Sequence, residues 1–139
     1  MKHVLREKYE FDFNLIGVCC HEKDYRLCWA INSILDLNLS RLKEDISLIF
    51  NKKSKSNANF HIFSYECKIN LAQYYLISNK CENTSLVPEK SHFDFFFMIK
   101  SNEIKSYNYY LQKLQSIPFI LKSNKVNVED LKSRENLIF

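Results

Sequence analysis

Two acidic side chains, Glu89 and Asp94, are the first candidates for chemistry in this chain. They lie in the segment VPEKSHFDF, residues 87–95. One carboxyl group on a loop and one on a strand can act together as a general acid and base. The simpler interpretation, which we favour, gives Pro88 and Glu89 a role in a turn and makes Asp94 a solvated or arginine-paired acid where a strand begins. No catalytic residue is therefore assigned.

The triplet FDF surrounds Asp12 as well as Asp94. If the two strands are neighbours, the two carboxylates approach each other across the sheet and repel. A cation between them would remove this repulsion. Arg26 and Arg6 are the candidates for that cation.

The triplet Cys19, Cys20 and His21 offers a second kind of chemistry. A thiolate beside a histidine at a helix N-terminus can be a nucleophile. Neighbouring residues of an extended chain point in opposite directions, however. We favour the interpretation in which Cys20 is a buried thiol and His21 is a residue at the start of a helix.

Histidines and further cysteines are the candidates for a metal site. A structural zinc site needs ligands in pairs at short spacing. The candidates show no such spacing, so no metal or other cofactor is predicted. They are His61, Cys67, Cys81 and His92.

The N-terminal part of the chain combines a strand period with a helix period. Residues 10–19 alternate between two sides, as a strand does. Residues 22–37 change to the helical period of about 100° per residue, and Asn38 is positioned to end that helix. The apolar face of the helix consists of Leu27, Cys28, Ile31, Ile34 and Leu35.

An aromatic pair lies on the opposite side of this helix. Trp29 projects away from the apolar face, and Tyr25 precedes it by one turn. Two interpretations stay open. Either another part of the chain covers the pair, for which the C-terminal residues LIF are the candidate, or the pair is an exposed aromatic anchor for a partner protein.

The rest of the chain predicts further strands, a second main helix and a short C-terminal helix. Short polar connections favour antiparallel hairpins. The order β-α-β-β-β-β-α-β-α predicts a single α+β domain over residues 1–139, with a five- or six-stranded, mainly antiparallel sheet and helices on one face. The predicted segments are strands 45–52, 59–67, 71–80 and 93–100, a helix from Asn102 that includes Ile104, an extended piece 116–123, and a helix from Asn127 to about Asn136.

The strand over 93–100 carries large apolar side chains on both faces. Phe96 and Met98 are predicted to lie on the face that the helices do not cover. Burial of one such side chain is worth about 1.5–3 kcal/mol, so either helices cover both faces or a second protein does. The core face of this strand consists of Phe93, Phe95, Phe97 and Ile99, and the uncovered face also takes in Ile16, Val18, Tyr74 and Leu76.

Composition excludes several classes of function. A length of 139 residues suits one domain. With one glycine in the chain there is no glycine-rich phosphate loop and no dinucleotide fingerprint. The formal net charge of +4 permits contact with RNA or an acidic protein. The small basic cluster Lys52, Lys53 and Lys55 is interpreted as a solvated hairpin loop.

The cysteines and the N-terminal residues predict the location. The segment MKHVLREKYE lacks the apolar part of a secretory signal, and no apolar run is long enough to span a membrane. The chain has five cysteines, an odd number, and none of them shows CxxC spacing. Reduced thiols in the cytoplasm are therefore expected.

The segment VPEKSHFDF resembles the signature of the IPExxxVDY family, small bacterial proteins without an assigned function. Pro88, Glu89 and Asp94 match that signature directly, and apolar or aromatic residues stand at its Ile, Val and Tyr positions. The resemblance continues through segments that cover nearly the whole chain. It implies a stand-alone cytoplasmic domain from bacteria of the Bacteroidota, and it supplies no catalytic residues.

The sequence predicts a non-enzymatic protein–protein interaction module, as a homodimer or as the partner of another cytoplasmic protein. The alternative is an RNA- or ribosome-associated factor that uses scattered lysines and aromatic stacking. A small hydrolase-type enzyme ranks third and would need a pocket that converges on Glu89, Asp94 or Cys20. The candidate contact residues of the interaction module are Tyr25, Trp29, Phe96 and Met98.

Overall fold

A computed structural model describes residues 12–51, 56–69, 71–101 and 107–139. This part of the chain contains two α-helices, ten strands and three short 3₁₀ turns. The helices and strands are β1 (Asn14–Cys20), α1 (Asp24–Leu35), β2 (Ser40–Arg41), β3 (Ile46–Asn51), β4 (Ser56–Phe60), β5 (Ile62–Cys67), β6 (Ala72–Ser78), β7 (Lys80–Cys81), β8 (Thr84–Ser85), β9 (Phe95–Lys100), α2 (Tyr107–Gln115) and β10 (Ile120–Val126). The 3₁₀ turns are Pro88–Lys90, Val128–Asp130 and Arg134–Leu137.

Some predictions fall outside the described residues. They concern Arg6, the basic cluster Lys52, Lys53 and Lys55, and the start of the second helix at Asn102 with Ile104. Among the residues that are described, no helix has the length and apolar character needed to cross a membrane.

Six strands form the main sheet in the order β10–β1–β9–β6–β5–β2, and every neighbouring pair is antiparallel. Two separate hairpins stand beside it, one formed by β3 and β4 and the other by β7 and β8. The architecture confirms the predicted α+β class and its six-stranded antiparallel sheet. A short connection accounts for the antiparallel pairing of β5 with β6, because a hairpin can join only antiparallel neighbours.

Both helices cover one face of the sheet. Leu27 and Ile31 of α1 and Leu114 of α2 are fully buried there. Their spacing follows the helical period, so each helix turns one apolar stripe towards the strands. The sheet side of this core consists of Ile16, Val18, Ala72, Tyr74, Leu76, Phe95, Phe97 and Ile99, together with Cys20 and Phe63.

Strand register decides which residues lie under the helices. Ile16 of β1 and Leu76 of β6 both pair with Phe97 of β9. Directly opposite residues share one face of a sheet, so all three meet the helices. The prediction that Ile16, Val18, Tyr74 and Leu76 lie on the uncovered face is therefore wrong.

The opposite face of the sheet is closed by the chain itself. Phe96 and Met98 have no exposed surface and belong to a second core. The hairpin of β3 and β4 contributes Phe60 to this core, and the C-terminal segment contributes Leu131 and Leu137. The prediction that Phe96 and Met98 contact a partner is wrong, because non-helical parts of the same chain cover them.

Residues 59–67, predicted as one strand, belong to two strands. β4 ends at Phe60 and β5 begins at Ile62. β4 pairs with β3 in the separate hairpin, whereas β5 joins the main sheet. Phe60 and Ile62 are both buried in the second core. The break at His61 therefore lets the hairpin cover the same sheet face that β5 helps to build.

Two helix ends differ from the prediction. α1 ends at Leu35, before Asn38, because Asp36 takes a left-handed conformation with φ 54°. At the C-terminus, Asn127 caps as predicted, since its side chain accepts a hydrogen bond from the N–H of Glu129 at 3.4 Å. A 3₁₀ turn follows this cap rather than a longer helix.

Candidate functional site

The segment that resembles the family signature is a loop fixed from inside by Asn79, a fully buried side chain. Its Nδ2 donates to the carbonyl oxygens of Lys90 and Phe93 at 3.0 and 2.8 Å, and its Oδ1 accepts from the N–H of Val87 at 2.8 Å. Three backbone groups of the loop thereby gain partners. Sequence reasoning assigned no such role to Asn79, because no spacing indicates which backbone groups a side chain will meet.

Glu89 ties this loop to the C-terminal segment. Its Oε2 accepts a hydrogen bond from the N–H of Ser133 at 2.7 Å. Partial burial raises the pKa of the Glu89 carboxyl, but hydrogen bonds from its own backbone N–H, from Ser133 and from Lys132 outweigh this and hold the pKa below its usual value. Asn136 strengthens the same junction, since its Nδ2 donates to the carbonyl oxygen of Leu86 at 2.8 Å.

Asp94 joins the loop to two strands. Its Oδ2 accepts a hydrogen bond from the backbone N–H of Cys20 at 2.9 Å, and its Oδ1 lies 3.1 Å from the ammonium nitrogen of Lys80. Asp94 is thus the paired acid at a strand start that we favoured, with a lysine in place of the expected arginine. Glu89 and Asp94 hold different parts of the chain and do not form an acid/base pair.

The expected approach of Asp12 to Asp94 does not occur. β1 and β9 are neighbours, but their antiparallel register places Asp94 beside the C-terminal end of β1, whereas Asp12 precedes its N-terminal end. The cation beside Asp94 is Lys80. The guanidinium of Arg26 lies instead 3.7 Å from the carboxylate of Glu22, which precedes α1.

Gly17, the one glycine of the chain, makes room for Phe93. A Cβ atom at this position would lie 2.5 Å from the Phe93 ring, inside van der Waals contact. Phe93 packs in the second core, with its ring centroid 6.0 Å from that of Phe96. Its predicted place on the core face of Phe95 is wrong, because β9 begins only at Phe95 and strand alternation does not reach back to Phe93.

The triplet of Cys19, Cys20 and His21 is not built for nucleophilic chemistry. Cys20 lies in the helix-side core, whereas Cys19 packs against the second core and donates to the carbonyl oxygen of His92 at 3.3 Å. Burial raises the pKa of both thiols, and the nearby Asp94 carboxylate raises it further. Protonated thiols are poor nucleophiles.

The metal candidates are not brought together. Within the described residues, no group of three or more His, Cys, Asp or Glu side chains is arranged to hold a metal ion. His61 meets Asp24 instead, with Nδ1 of the imidazole 2.5 Å from Oδ2 of the carboxylate. All five cysteines fall in the described part of the chain and are free thiols.

Tyr25 and Trp29 are exposed. They leave 65% and 70% of their surface to water. A groove of about 250 Å³ runs beside Trp29, with Pro118 and Phe119 in its other wall. The guanidinium carbon of Arg26 lies 5.6 Å from the centroid of the Phe119 ring. We call Tyr25, Trp29, Pro118 and Phe119 together the Trp29 surface.

The C-terminal residues LIF do not cover the Trp29 surface. Leu137 is fully buried in the second core. The ring of Phe139 packs edge-on against Tyr75, with the two centroids 5.2 Å apart. Of the two interpretations left open by the sequence, coverage by this tail is therefore wrong.

β10 is the last strand at one end of the sheet, and in the sequence it begins directly after Phe119 of the Trp29 surface. In the described part of the chain, β10 pairs with β1 and forms an edge. Ser123, in the middle of β10, is 5% exposed, and its Oγ has no hydrogen-bond partner among the described residues. A buried hydroxyl without a partner lowers stability.

A polar cleft of about 370 Å³ lies at the start of α1. Asp24 begins the helix, and His61 stands at the break between β4 and β5. Lys23 and Lys80 line the same cleft. Of these four residues, sequence analysis considered only His61, because the cleft joins parts of the chain that are remote in sequence.

No family model, curated protein or solved structure matches this chain. The resemblance to the IPExxxVDY family therefore stays a prediction, carried by Pro88, Glu89 and Asp94. In the fold, Pro88 opens the 3₁₀ turn of the loop, Glu89 attaches the loop to the C-terminal segment, and Asp94 attaches it to β1. The signature thus coincides with residues that shape one loop and its attachments.

Proposed function

We propose that this protein is a non-enzymatic protein–protein interaction module that binds a second copy of itself. The observation that carries the proposal is the Trp29 surface, an exposed aromatic area beside a strand edge. Trp29 is 70% exposed. Tryptophan and tyrosine are enriched among the residues that dominate binding energy at protein interfaces. A patch of this kind on a rigid helix favours association over exposure to water.

A second copy is favoured as the partner because β10 can pair with itself. An antiparallel pair of β10 strands centred on Ser123 sets Lys122 opposite Asn124 and Leu121 opposite Lys125. No two lysines then stand directly opposite each other, so like charges do not oppose this register. The pairing has the twofold symmetry that most dimers adopt.

Charges beside the Trp29 surface are complementary to themselves. Glu22 and Arg26 lie 3.7 Å apart, and both are accessible to solvent. In a twofold interface a contact of one residue with a second is repeated as the second with the first, so an adjacent acid and base can exchange partners across the axis.

The decisive experiment measures the mass of the protein in solution by sedimentation. We expect a dimer for the wild type. Trp29→Ser is expected to weaken dimerisation about 30-fold or more, the effect of losing one dominant interface residue. Ile69→Ser is the matched control, because Ile69 is 97% exposed but lies in the turn between β5 and β6. It should leave the dimer intact.

Other outcomes would reject self-association. A monomer at every concentration would refute it, and the lysines of β10 would then act to keep this edge unpaired. A monomer that retains nucleic acid in a salt-sensitive way on purification would favour the RNA-binding alternative. A stable complex with a different protein through Trp29 would keep the interaction module and replace the partner.

The proposal places the protein in the cytoplasm of a bacterium of the Bacteroidota and in the IPExxxVDY family. Five free thiols support a reducing compartment. The family assignment rests on Pro88, Glu89 and Asp94 together with the wider sequence resemblance. Fractionation of the host cell tests the location separately from the oligomeric state.

A further inference from the structure

We propose that Arg26 is a positioning residue of the Trp29 surface, and that its guanidinium holds the Phe119 ring in place for a binding partner. The proposal rests on the proposed function, because it assigns Arg26 a part in the association that this surface provides. Arg26 does not itself line the groove beside Trp29. It acts through Phe119, which belongs to one wall of that groove.

The two walls of the groove differ in how firmly the backbone fixes them. Trp29 lies in the wall formed by α1, a helix of 12 residues. Pro118 and Phe119 lie in the opposite wall, in the turn between α2 and β10. A backbone hydrogen bond closes this turn, since the N–H of Ile120 donates to the carbonyl oxygen of Ile117 at 3.1 Å. Side chains on a helix are placed more precisely than side chains on a loop, so a further contact to the Phe119 ring makes the groove better defined.

Arg26 supplies that contact and connects the two walls. Its backbone belongs to α1, and its guanidinium carbon lies 5.6 Å from the centroid of the Phe119 ring. A cation within about 6 Å of a ring centroid is attracted by the face of the ring. A guanidinium is also flat and can stack on that face, which an ammonium group cannot do. Arg26 therefore draws the ring on the turn towards the helix that carries Trp29.

The direction of the guanidinium is limited by Glu22. Nε of Arg26 lies 3.7 Å from Oε2 of Glu22, four residues earlier in the chain. An exposed ion pair of this kind contributes little to stability. It nevertheless keeps the guanidinium between the Glu22 carboxylate and the Phe119 ring.

A groove wall that is already in place favours association. Binding costs free energy whenever side chains of the interface must first be ordered, and a ring held before binding avoids that cost. Removal of the guanidinium should therefore weaken association through the Phe119 ring. This effect is separate from an ion pair of Arg26 with the second copy, because it requires Phe119.

A double-mutant cycle on the dimerisation constant, measured by sedimentation, isolates this effect. Its variants are Arg26→Gln, Phe119→Leu and the combination of both. The weakening caused by Arg26→Gln should be about two- to fivefold smaller when Phe119 is already leucine, the scale of one exposed cation–π contact. Equal weakening in both backgrounds would overturn the proposal. Arg41→Gln is the matched control and should leave the dimer intact, because Arg41 pairs with Asp45 at 3.2 Å at the opposite end of the sheet.

A second measurement does not depend on dimerisation. Nuclear magnetic resonance of the Phe119 ring is recorded in the Trp29→Ser chain, with and without substitution of Arg26. Arg26→Gln should increase the motion of the ring, and Arg26→Lys, which keeps a cation beside the ring, should restore part of its order. Unchanged ring motion in Arg26→Gln would overturn the proposal even if the wild type dimerises. A monomeric wild type whose ring motion depends on Arg26 would instead refute self-association and support the positioning role.

Discussion

Two regions present large apolar side chains away from the helix-side core. One is the sheet face that carries Phe96, and the other is the Trp29 surface. The two regions differ in solvent exposure, since Phe96 has no exposed surface whereas Trp29 is 70% exposed. The difference shows that an apolar excess on a central strand need not indicate a partner. The chain can cover such a face with hairpins and its own C-terminal segment, and here it leaves Tyr25 and Trp29 on the outer side of α1 exposed.

Polar anchors explain why the cover of Phe96 stays in place. Asn79 pairs three backbone groups of one covering loop, and Glu89 and Asn136 bind that loop to the C-terminal segment. Beside the Trp29 surface, Arg26 forms an ion pair with Glu22, four residues earlier in the chain. This pair is local and attaches no other part of the chain to the Trp29 surface.

Phe96→Ala is expected to have the largest effect on stability. The side chain is fully buried, so its removal should lower the free energy of unfolding by about 3–5 kcal/mol. Ile69→Ala is the control, because Ile69 is 97% exposed and lies in the turn between β5 and β6. Its cost should stay within about 0.5 kcal/mol. Denaturant unfolding measures both, and equal losses would contradict the contrast between the two regions.

Asn79→Ala should cost slightly less than Phe96→Ala, about 2–4 kcal/mol. The substitution leaves buried backbone groups without partners, each of which costs about 1–3 kcal/mol before relaxation. Hydrogen exchange gives a local measure, since the N–H of Val87 loses its acceptor. An unchanged exchange rate at Val87 would show that Asn79 does not fix the loop.

Glu89→Gln should have a smaller effect that depends on pH. The folded pKa of this carboxyl is lowered, so its stabilisation is present above the unfolded value of about 4.3 and is lost as pH falls through the folded pKa. At neutral pH the variant should be less stable by under about 1 kcal/mol, because Glu89 is exposed to solvent. In acid the free energies of unfolding of Glu89→Gln and the wild type should converge. A difference that stays constant with pH would contradict the stabilising role of the Glu89 carboxylate.

Trp29→Ser should have the smallest effect on the isolated chain. Its side chain is mostly in water, so the free energy of unfolding of the monomer should change by no more than about 0.5 kcal/mol. Unfolding at high dilution measures this term apart from dimerisation. A loss as large as that of Phe96→Ala would mean that Trp29 serves the fold rather than an interface.

The helix period was sufficient to predict that Tyr25 and Trp29 lie away from the core, because it depends on residues within one or two turns. The cover over Phe96 could not be predicted in the same way. It depends on Phe60 and Leu137, which are remote from Phe96 in the chain and reach it only through the bend at His61 and the C-terminal turns.

The sequence by itself determined the strand alternation, the helix faces and the Asn127 cap, since each of these depends on near neighbours in the chain. The tertiary structure alone decided that Asn79 holds a loop, that Asp94 meets Lys80, and that His61 meets Asp24. Strand order and register set those contacts, and both arise from packing the whole chain around two cores.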